Sequence, residues 1–292
     1  MASTYQSEYG EIKSLLLKHP RAAFRSEEYL DQNWRSLNYL SKPNFNQALE
    51  EYGSFVEIFE RYKIEVQFLD DSEDTGIDSI YVRDASICSN DGMLICNMGK
   101  ESRRTEPNQQ LQHYLRNGQA VSGSFLGAAT IEGGDVTWLR EDVLAVARGY
   151  RTNDEGIDQL KQFLNNSLED VIVMPAPHYK GPDDVFHLMS VLSPVDIDLA
   201  VVYSPLMTVP FREFLLHLGI KLIEVPDNEF DSLGSNVLAI APRVCLMVKG
   251  NPITKTRLEK VGVEVIEFDG AEICLKGSGG PTCLTRPLVR LI

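Results

Sequence analysis

Apolar residues along this chain fall into two spacings that alternate in a fixed order. Between Asn44 and Tyr62, the residues Phe45, Ala48, Leu49, Tyr52, Phe55, Val56, Ile58 and Phe59 recur at helical spacing, and Lys63 to Leu69 then alternates as a strand does. Before them, Glu11 to His19 has the mixed apolar character of an opening strand, followed by a polar loop containing aromatics. Further on, Ala85–Cys88 and Met93–Cys96 predict two strands joined by an Asn90-Asp91-Gly92 turn, with a helix from about Pro107 to Arg116. The order then returns. Val136–Leu139 and Val143–Ala147 predict a strand pair, Thr152-Asn153-Asp154 a helix start, Ile157–Leu164 the helix and Asp170–Met174 a strand. A third copy reads Leu188–Leu192, Leu199–Tyr203, a helix over Phe211–Leu218 and a strand over Lys221–Val225. A fourth reads Val237–Ile240, Val244–Val248, a helix near Thr254–Val261 and a strand over Val263–Phe268.

The opening strand, helix and strand combine with the apolar segment after Cys283 into a further unit, making five units of strand, strand, helix, strand in an α/β chain. Repeats of this size must share a core with their neighbours, and a fixed rotation between them closes a ring. That predicts one domain over residues 1–292; an ordinary α/β sandwich with accidental periodicity is the alternative, because the element order recurs and the residues do not. Each unit opens on a polar residue: Asp84, Asp135, His187, Asn236 and Cys283 stand just before or at the start of a first strand, roughly every fifty residues. Equivalent points of a ring converge on its axis. A carboxylate, an imidazole and a thiol meeting there supply a nucleophile, an acid–base group and an orienting charge.

Composition narrows the function classes. The 292 residues are 43% hydrophobic, enough for a sizeable core, and no apolar run is long enough to cross a bilayer. Residues 1–20 lack a basic start with an apolar centre and small-residue cleavage site, so the expected location is cytoplasmic. A formal net charge of −14 speaks against nucleic acid and anionic membranes as partners. It suits a cationic small molecule, although surplus acids commonly form nothing more than a solvated surface. Five scattered cysteines fit reduced thiols better than a disulfide framework, and no CxxC or Cys/His cluster calls for zinc.

Each candidate has a plainer reading beside its chemical one. Cys283 follows Gly277-Ser278-Gly279-Gly280-Pro281-Thr282, a place to present a thiol, while a lone cysteine there is also commonly structural. His187 follows the turn Gly181-Pro182-Asp183-Asp184 and could equally be a surface or satisfied core histidine. Glu132-Gly133-Gly134-Asp135 pairs two carboxylates across glycines, either as a turn or as groups that orient an imidazole and neutralise a cation. Asp78 and Asp84 add two more acids. Arg103, Arg104 and Arg151 open the links between strand pairs and helices, where arginine can grip a carboxylate or simply face water.

Six segments in order carry a resemblance: Tyr-Val-Arg-Asp (81–84), Ser-Arg-Arg-Thr-Glu (102–106), Glu-Gly-Gly-Asp-Val (132–136), Tyr-Arg-Thr-Asn (150–153), Phe-His-Leu (186–188) and Gly-Gly-Pro-Thr-Cys (279–283). Together they resemble the guanidino-group-modifying enzymes, which include dimethylarginine dimethylaminohydrolases, arginine deiminases and amidinotransferases. That resemblance implies a five-bladed α/β propeller, the pentein fold, built from five ββαβ-type units about a pseudo-five-fold axis. It implies Cys283 as nucleophile on the guanidinium carbon, His187 as acid and then base, and Glu132 as the holder of His187 and of the substrate nitrogens. Asp84 would bind the guanidinium, Asp78 the α-amino group, Arg103 and Arg151 the carboxylate, with Asp135 also placed in substrate binding. Neither metal nor organic cofactor is implied, and a homodimer is compatible with it.

Where arginine deiminases carry an aspartate two residues after the histidine, this chain has Met189. Loss of that carboxylate leaves apolar room for N-methyl groups and points to the dimethylaminohydrolase side. Arg83 and the Gly-Gly-Pro-Thr-Cys segment look more like deiminase or amidinotransferase usage. The expected activity is therefore hydrolysis of an N-methylated arginine to citrulline and an alkylamine. Arginine deimination or amidinotransfer is the alternative, and an arginine-like-ligand binding protein the non-enzymatic one.

Overall fold

The computed structural model describes residues 2–164, 168–184 and 186–292. Five small sheets organise it. Four have the same plan, an antiparallel hairpin whose second strand pairs in parallel with a third strand reached through a helix: 86–95 with Val121–Ser124, 136–148 with Asp170–Pro175, 192–202 with Lys221–Glu224, and 238–248 with Glu264–Phe268. The remaining sheet is made from both ends of the described chain. Arg286–Leu291 lies antiparallel between Ser3–Thr4 and Glu11–Leu17, and Glu65–Phe68 pairs in parallel beyond.

Local sequence explains the regular elements. Helix Phe45–Arg61 starts where the Asn44 side chain accepts the amide of Gln47, and it buries Ala48, Tyr52, Phe55, Ile58 and Phe59 on one face. It stops before Lys63, which has a positive φ of 55°. Asn153 caps Asp154–Phe163 in the same way through the amide of Gly156. Gly92, at φ 130°, permits the tight turn between Ser86–Ser89 and Gly92–Ile95.

Burial follows the repeat. Consecutive sheets share apolar clusters: Ile87 and Leu94 pack with Val136 and Leu144, Ala145 and Ala147 with Ala200 and Val202, Val201 with Val237 and Met247. Leu246 and Val248 then pack with Ile12 and Leu15 of the first sheet, whose Leu16 and Leu288 meet Cys88 and Ile95. No single central core exists among the described residues; five shared ones do.

Two expectations need correction, and one strand goes unannounced by the sequence. Leu188–Ser190 is a 3₁₀ turn, and the strand begins only at Leu192. Side chains take the amides a ladder would use: Asp135 Oδ1 accepts from Leu188 N at 3.2 Å, and His187 N donates to Ser190 Oγ at 3.1 Å. Val121–Ser124 completes the second sheet as a half-buried edge strand, too polar to read as one; Gly123 fits because a Cβ there would lie 2.4 Å from the Phe163 ring. The stretch after Leu17 contains helices Pro20–Ala23 and Glu27–Asn33 where a loop was expected. Among the described residues no helix is long and apolar enough to cross a membrane.

Candidate active site

Each of the residues that opens a unit sits in the turn leading into the first strand of its sheet, and the sheets bring these turns to one place. Gly133 N donates to Asp84 O at 2.8 Å, and Arg83 N donates to Cys283 O at 3.1 Å, so the second, third and first sheets are tied backbone to backbone. Gly134 makes the approach feasible. A Cβ on it would stand 2.6 Å from both Asp84 Oδ1 and His187 Nδ1.

His187 is buried between two carboxylates. Its Nε2 lies 2.7 Å from Glu132 Oε2, and its Nδ1 lies 3.7 Å from Asp84 Oδ1. Burial disfavours the imidazolium, but Asp84, Asp135 and Glu132 outweigh it and raise the pKa to about 9. Glu132 is fully buried, which opposes its charge. The hydrogen bond from His187 and the positive charges of His187, Arg151 and Arg103 nonetheless hold it well below the usual carboxylate range. The pair is therefore an ionised carboxylate against a charged imidazolium at neutral pH.

Cys283 is the one of five free cysteines that is not fully buried. Asn236 fixes it: Nδ2 donates to the sulfur at 3.4 Å, and Oδ1 accepts from Thr282 N at 3.1 Å and Thr282 Oγ1 at 2.8 Å. Burial first, and then the Asp84 charge, push the Cys283 thiol up; the donors from Thr282, Asn236 and Gly280 N pull it down. A cation placed on Asp84 would cancel that unfavourable charge and favour the thiolate. Asp84 Oδ1 is buried without a hydrogen-bond partner, as an acceptor awaiting such a cation would be.

The arginines are divided between support and reception. Arg103 donates from Nε and Nη2 to Glu106 at 3.0 and 2.7 Å, from Nη2 to Tyr81 O at 2.9 Å and from Nη1 to Asp84 Oδ2 at 2.5 Å, which leaves one Nη1 hydrogen uncommitted. Arg151 has looser contacts, Nη1 at 3.3 Å from Glu132 Oε2 and Nη2 at 3.5 Å from Asp184 O. Asp135, expected among the substrate-binding groups, faces inward instead. Both its oxygens are taken by Thr152 Oγ1 at 2.7 Å and Leu188 N at 3.2 Å, and burial raises its pKa to about 6. It positions the turn that carries His187. Asp78 is paired with Lys100, Nζ to Oδ2 at 2.6 Å, and Lys100 N donates to Glu132 Oε1 at 2.9 Å. Lys100 and Glu106 are the members of this cluster that sequence reasoning did not place in the site; Asn236 was brought to the axis by its position in the repeat, but without a role.

Two cavities meet at Cys283 and His187. A narrow one runs over Asp84 to Asp78, Lys100, Arg103 and Arg151, under Leu37. The other, a chamber of about 350 Å³, is lined by the apolar Tyr179, Phe186, Met189, Phe230 and Leu233 and by the charged Lys180, Asp184 and Asp231. Ligand atoms of Asp84, Glu132 and His187 lie within 4.8 Å of one another, a spacing that suits a small cation. With a charged imidazole between them and an arginine on each carboxylate, the site suits a delocalised organic monocation better than a divalent metal. A thiol beside an acceptor-lined cation seat, with an imidazolium at hand, can attack a cationic carbon and protonate what leaves.

Comparison with known proteins bears on this arrangement. The family model described as N,N dimethylarginine dimethylhydrolase, eukaryotic, matches residues 23–290. The Bacillus subtilis (strain 168) protein "Uncharacterized protein YkgA" is 25% identical over 98% of this chain and 94% of its own length. The N(G),N(G)-dimethylarginine dimethylaminohydrolase of Pseudomonas aeruginosa is 26% identical over 85% of this chain and 91% of its own. Among solved structures, the N-terminal domain of ArgZ, an arginine dihydrolase from Cyanobacteria, superimposes with a TM-score of 0.79 at 18% identity, covering 94% of this chain and 97% of that one. The Cys283 thiol, with the buried imidazolium and carboxylates, thus stands in a chain that belongs to the N,N-dimethylarginine dimethylhydrolase family, among the guanidino-group-modifying enzymes, as an amidinohydrolase.

Proposed function

We propose that this chain is a cytoplasmic, cysteine-dependent hydrolase of the guanidino carbon, carried by a single catalytic domain over residues 1–292 with its five sheets closed into a propeller. The observation that carries the reading is the buried Asp84 Oδ1, which has no hydrogen-bond partner and lies 3.7 Å from His187 Nδ1, in the cavity that Cys283 also lines. A guanidinium seated on Asp84 supplies the cation that favours the Cys283 thiolate. The sulfur then adds to the guanidinium carbon, His187 gives its proton to the departing nitrogen, and the C–N bond breaks to leave a thiouronium on Cys283 and a free amine. Neutral His187 next takes one proton from water as its oxygen adds to the same carbon; the C–S bond then breaks as the remaining hydroxyl proton passes to the free amine or solvent, which releases a neutral ureido product, the thiolate and a recharged His187. Glu132, ionised throughout, stabilises the imidazolium at each step.

The head group favoured by the site is N-alkylated. Met189, the residue two after His187, lines the chamber that Cys283 shares, together with Phe186 and Leu233, so no carboxylate stands at that position. A methyl group or departing methylamine finds apolar contact there, whereas an unsubstituted guanidinium leaves a donor unpaired. The same chamber gives a second reading some support: it could seat an acceptor amine, and the reaction would then be amidinotransfer.

The test is a ureido-product assay on purified protein with arginine, monomethylarginine, asymmetric dimethylarginine and agmatine, beside a Cys283→Ser variant. Turnover should favour the methylated compounds and vanish with the thiol. Product from Cys283→Ser at a comparable rate would remove the covalent mechanism, and product formed only when an amine is added would move the activity to transfer.

A further inference from the structure

Resting on that reading of Cys283 and Asp84, the other end of the substrate can be named. We infer that the tail recognised by this enzyme carries a carboxylate and no free α-ammonium, so that the substrates are ω-guanidino acids, N-alkylated or not.

The argument starts from Lys100. Its backbone N–H is anchored on Glu132 Oε1 at 2.9 Å, so the side chain begins beside the catalytic carboxylate and crosses the narrow cavity. Its Nζ ends 2.6 Å from Asp78 Oδ2 and 3.4 Å from Leu37 O, with the Lys100 and Asp78 side chains only 16% and 7% exposed. Asp78 is therefore neutralised from within the chain, in a place sheltered from water. An incoming ammonium would find no unpaired acid at that end. To reach Asp78 it would have to displace Lys100 or share the carboxylate with it, two like charges in a poorly solvated space.

A carboxylate meets the opposite situation. An ammonium has three donors, and Asp78 and Leu37 account for two of those on Lys100, which leaves one to give. Arg151 lies on the same cavity with only long contacts, and Arg103 keeps one free Nη1 hydrogen. At the head, Asp84 offers the unpartnered acceptor. The cavity thus presents an acceptor for a cation at one end and donors for an anion at the other, and the acid that would read an α-ammonium is already occupied.

The experiment separates head from tail. Binding of 5-guanidinopentanoate, its N-methyl derivative, arginine and monomethylarginine is measured by calorimetry on the Cys283→Ser protein, and ureido production from the same four on wild type, Lys100→Ala and Lys100→Gln. Each guanidinopentanoate should bind and turn over at least about tenfold better in wild type than the amino acid with the same head group, a preference that shrinks or reverses in both Lys100 variants. Circular dichroism establishes that the variants are folded, and the wild-type ratio stands on its own if they are not. Equal or better handling of the amino acids by wild type overturns the tail assignment and leaves guanidino hydrolysis standing. Selective binding of the guanidinopentanoates without product from any compound does the reverse. Failure of all four to bind removes the inference.

Discussion

At the scale of single residues, the site is governed by how closely a few charged groups are forced together. Gly134 permits it, since any side chain there would collide with Asp84 and His187 at 2.6 Å. Gly134→Ala should keep the fold, as measured by circular dichroism, yet lower kcat/KM by about a hundredfold or more through displacement of the reacting groups. The charge of His187 is the second lever. Its pKa of about 9 means that it is protonated below that pH, the form in which the proposed mechanism has it give a proton to the leaving amine, and neutral above it. The alkaline limb of kcat should therefore fall near pH 9. Asp135 contributes to that raised value from behind the turn. Asp135→Asn should shift the limb to lower pH, and a pH–kcat profile that does not move would show that Asp135 acts by packing alone. Several of these residues were legible in the sequence because they open repeats or sit among glycines. Lys100 and Glu106 were not, because a lysine or glutamate in the charged link Lys100–Glu106 reads as a solvated residue until burial places it.

At the scale of elements, the decisive pieces are the short turns that precede each first strand. The strands and most helices could be read directly, since alternating or helical apolar spacing reports the face that is buried. The turns could not. In 188–190 the apolar residues Leu188 and Met189 continue into the strand in sequence, but amides drawn to Asp135 and Ser190 wind them into a 3₁₀ turn. That turn aims His187 at Glu132. The turn bearing Cys283 is set by Asn236 from the neighbouring sheet, which holds both Thr282 and the sulfur. Asn236→Ala should release the loop and reduce kcat by about 10- to 100-fold with a smaller change in KM, read from steady-state kinetics. A change confined to KM would place Asn236 in substrate binding instead.

At the scale of the whole molecule, stability is spread over five shared cores, and the one joining the last repeat to the first includes Leu246, Val248, Ile12 and Leu15. Removing residues 286–292 takes one of the two inner strands from the first sheet and should abolish cooperative thermal unfolding rather than merely lower Tm. A truncated chain that still melts sharply would mean that the other four units form an independent core. The order of elements announced this arrangement, since each unit exposes an apolar face that only a neighbour can cover.

The strand Arg286–Leu291 also fixes a timetable. It inserts between Ser3–Thr4 and Glu11–Leu17, segments synthesised before any other strand described here, and it follows directly on the turn that carries Cys283. On the ribosome, the early strands must wait for almost all of the described chain before their hydrogen-bonding edges are covered, exposing them to chaperones or to other nascent chains. Cys283, the proposed nucleophile, is translated just before the covering strand, so the unfinished protein does not yet hold it in place. Maturation of the first sheet and the onset of chemistry are, by this connectivity, the same late event.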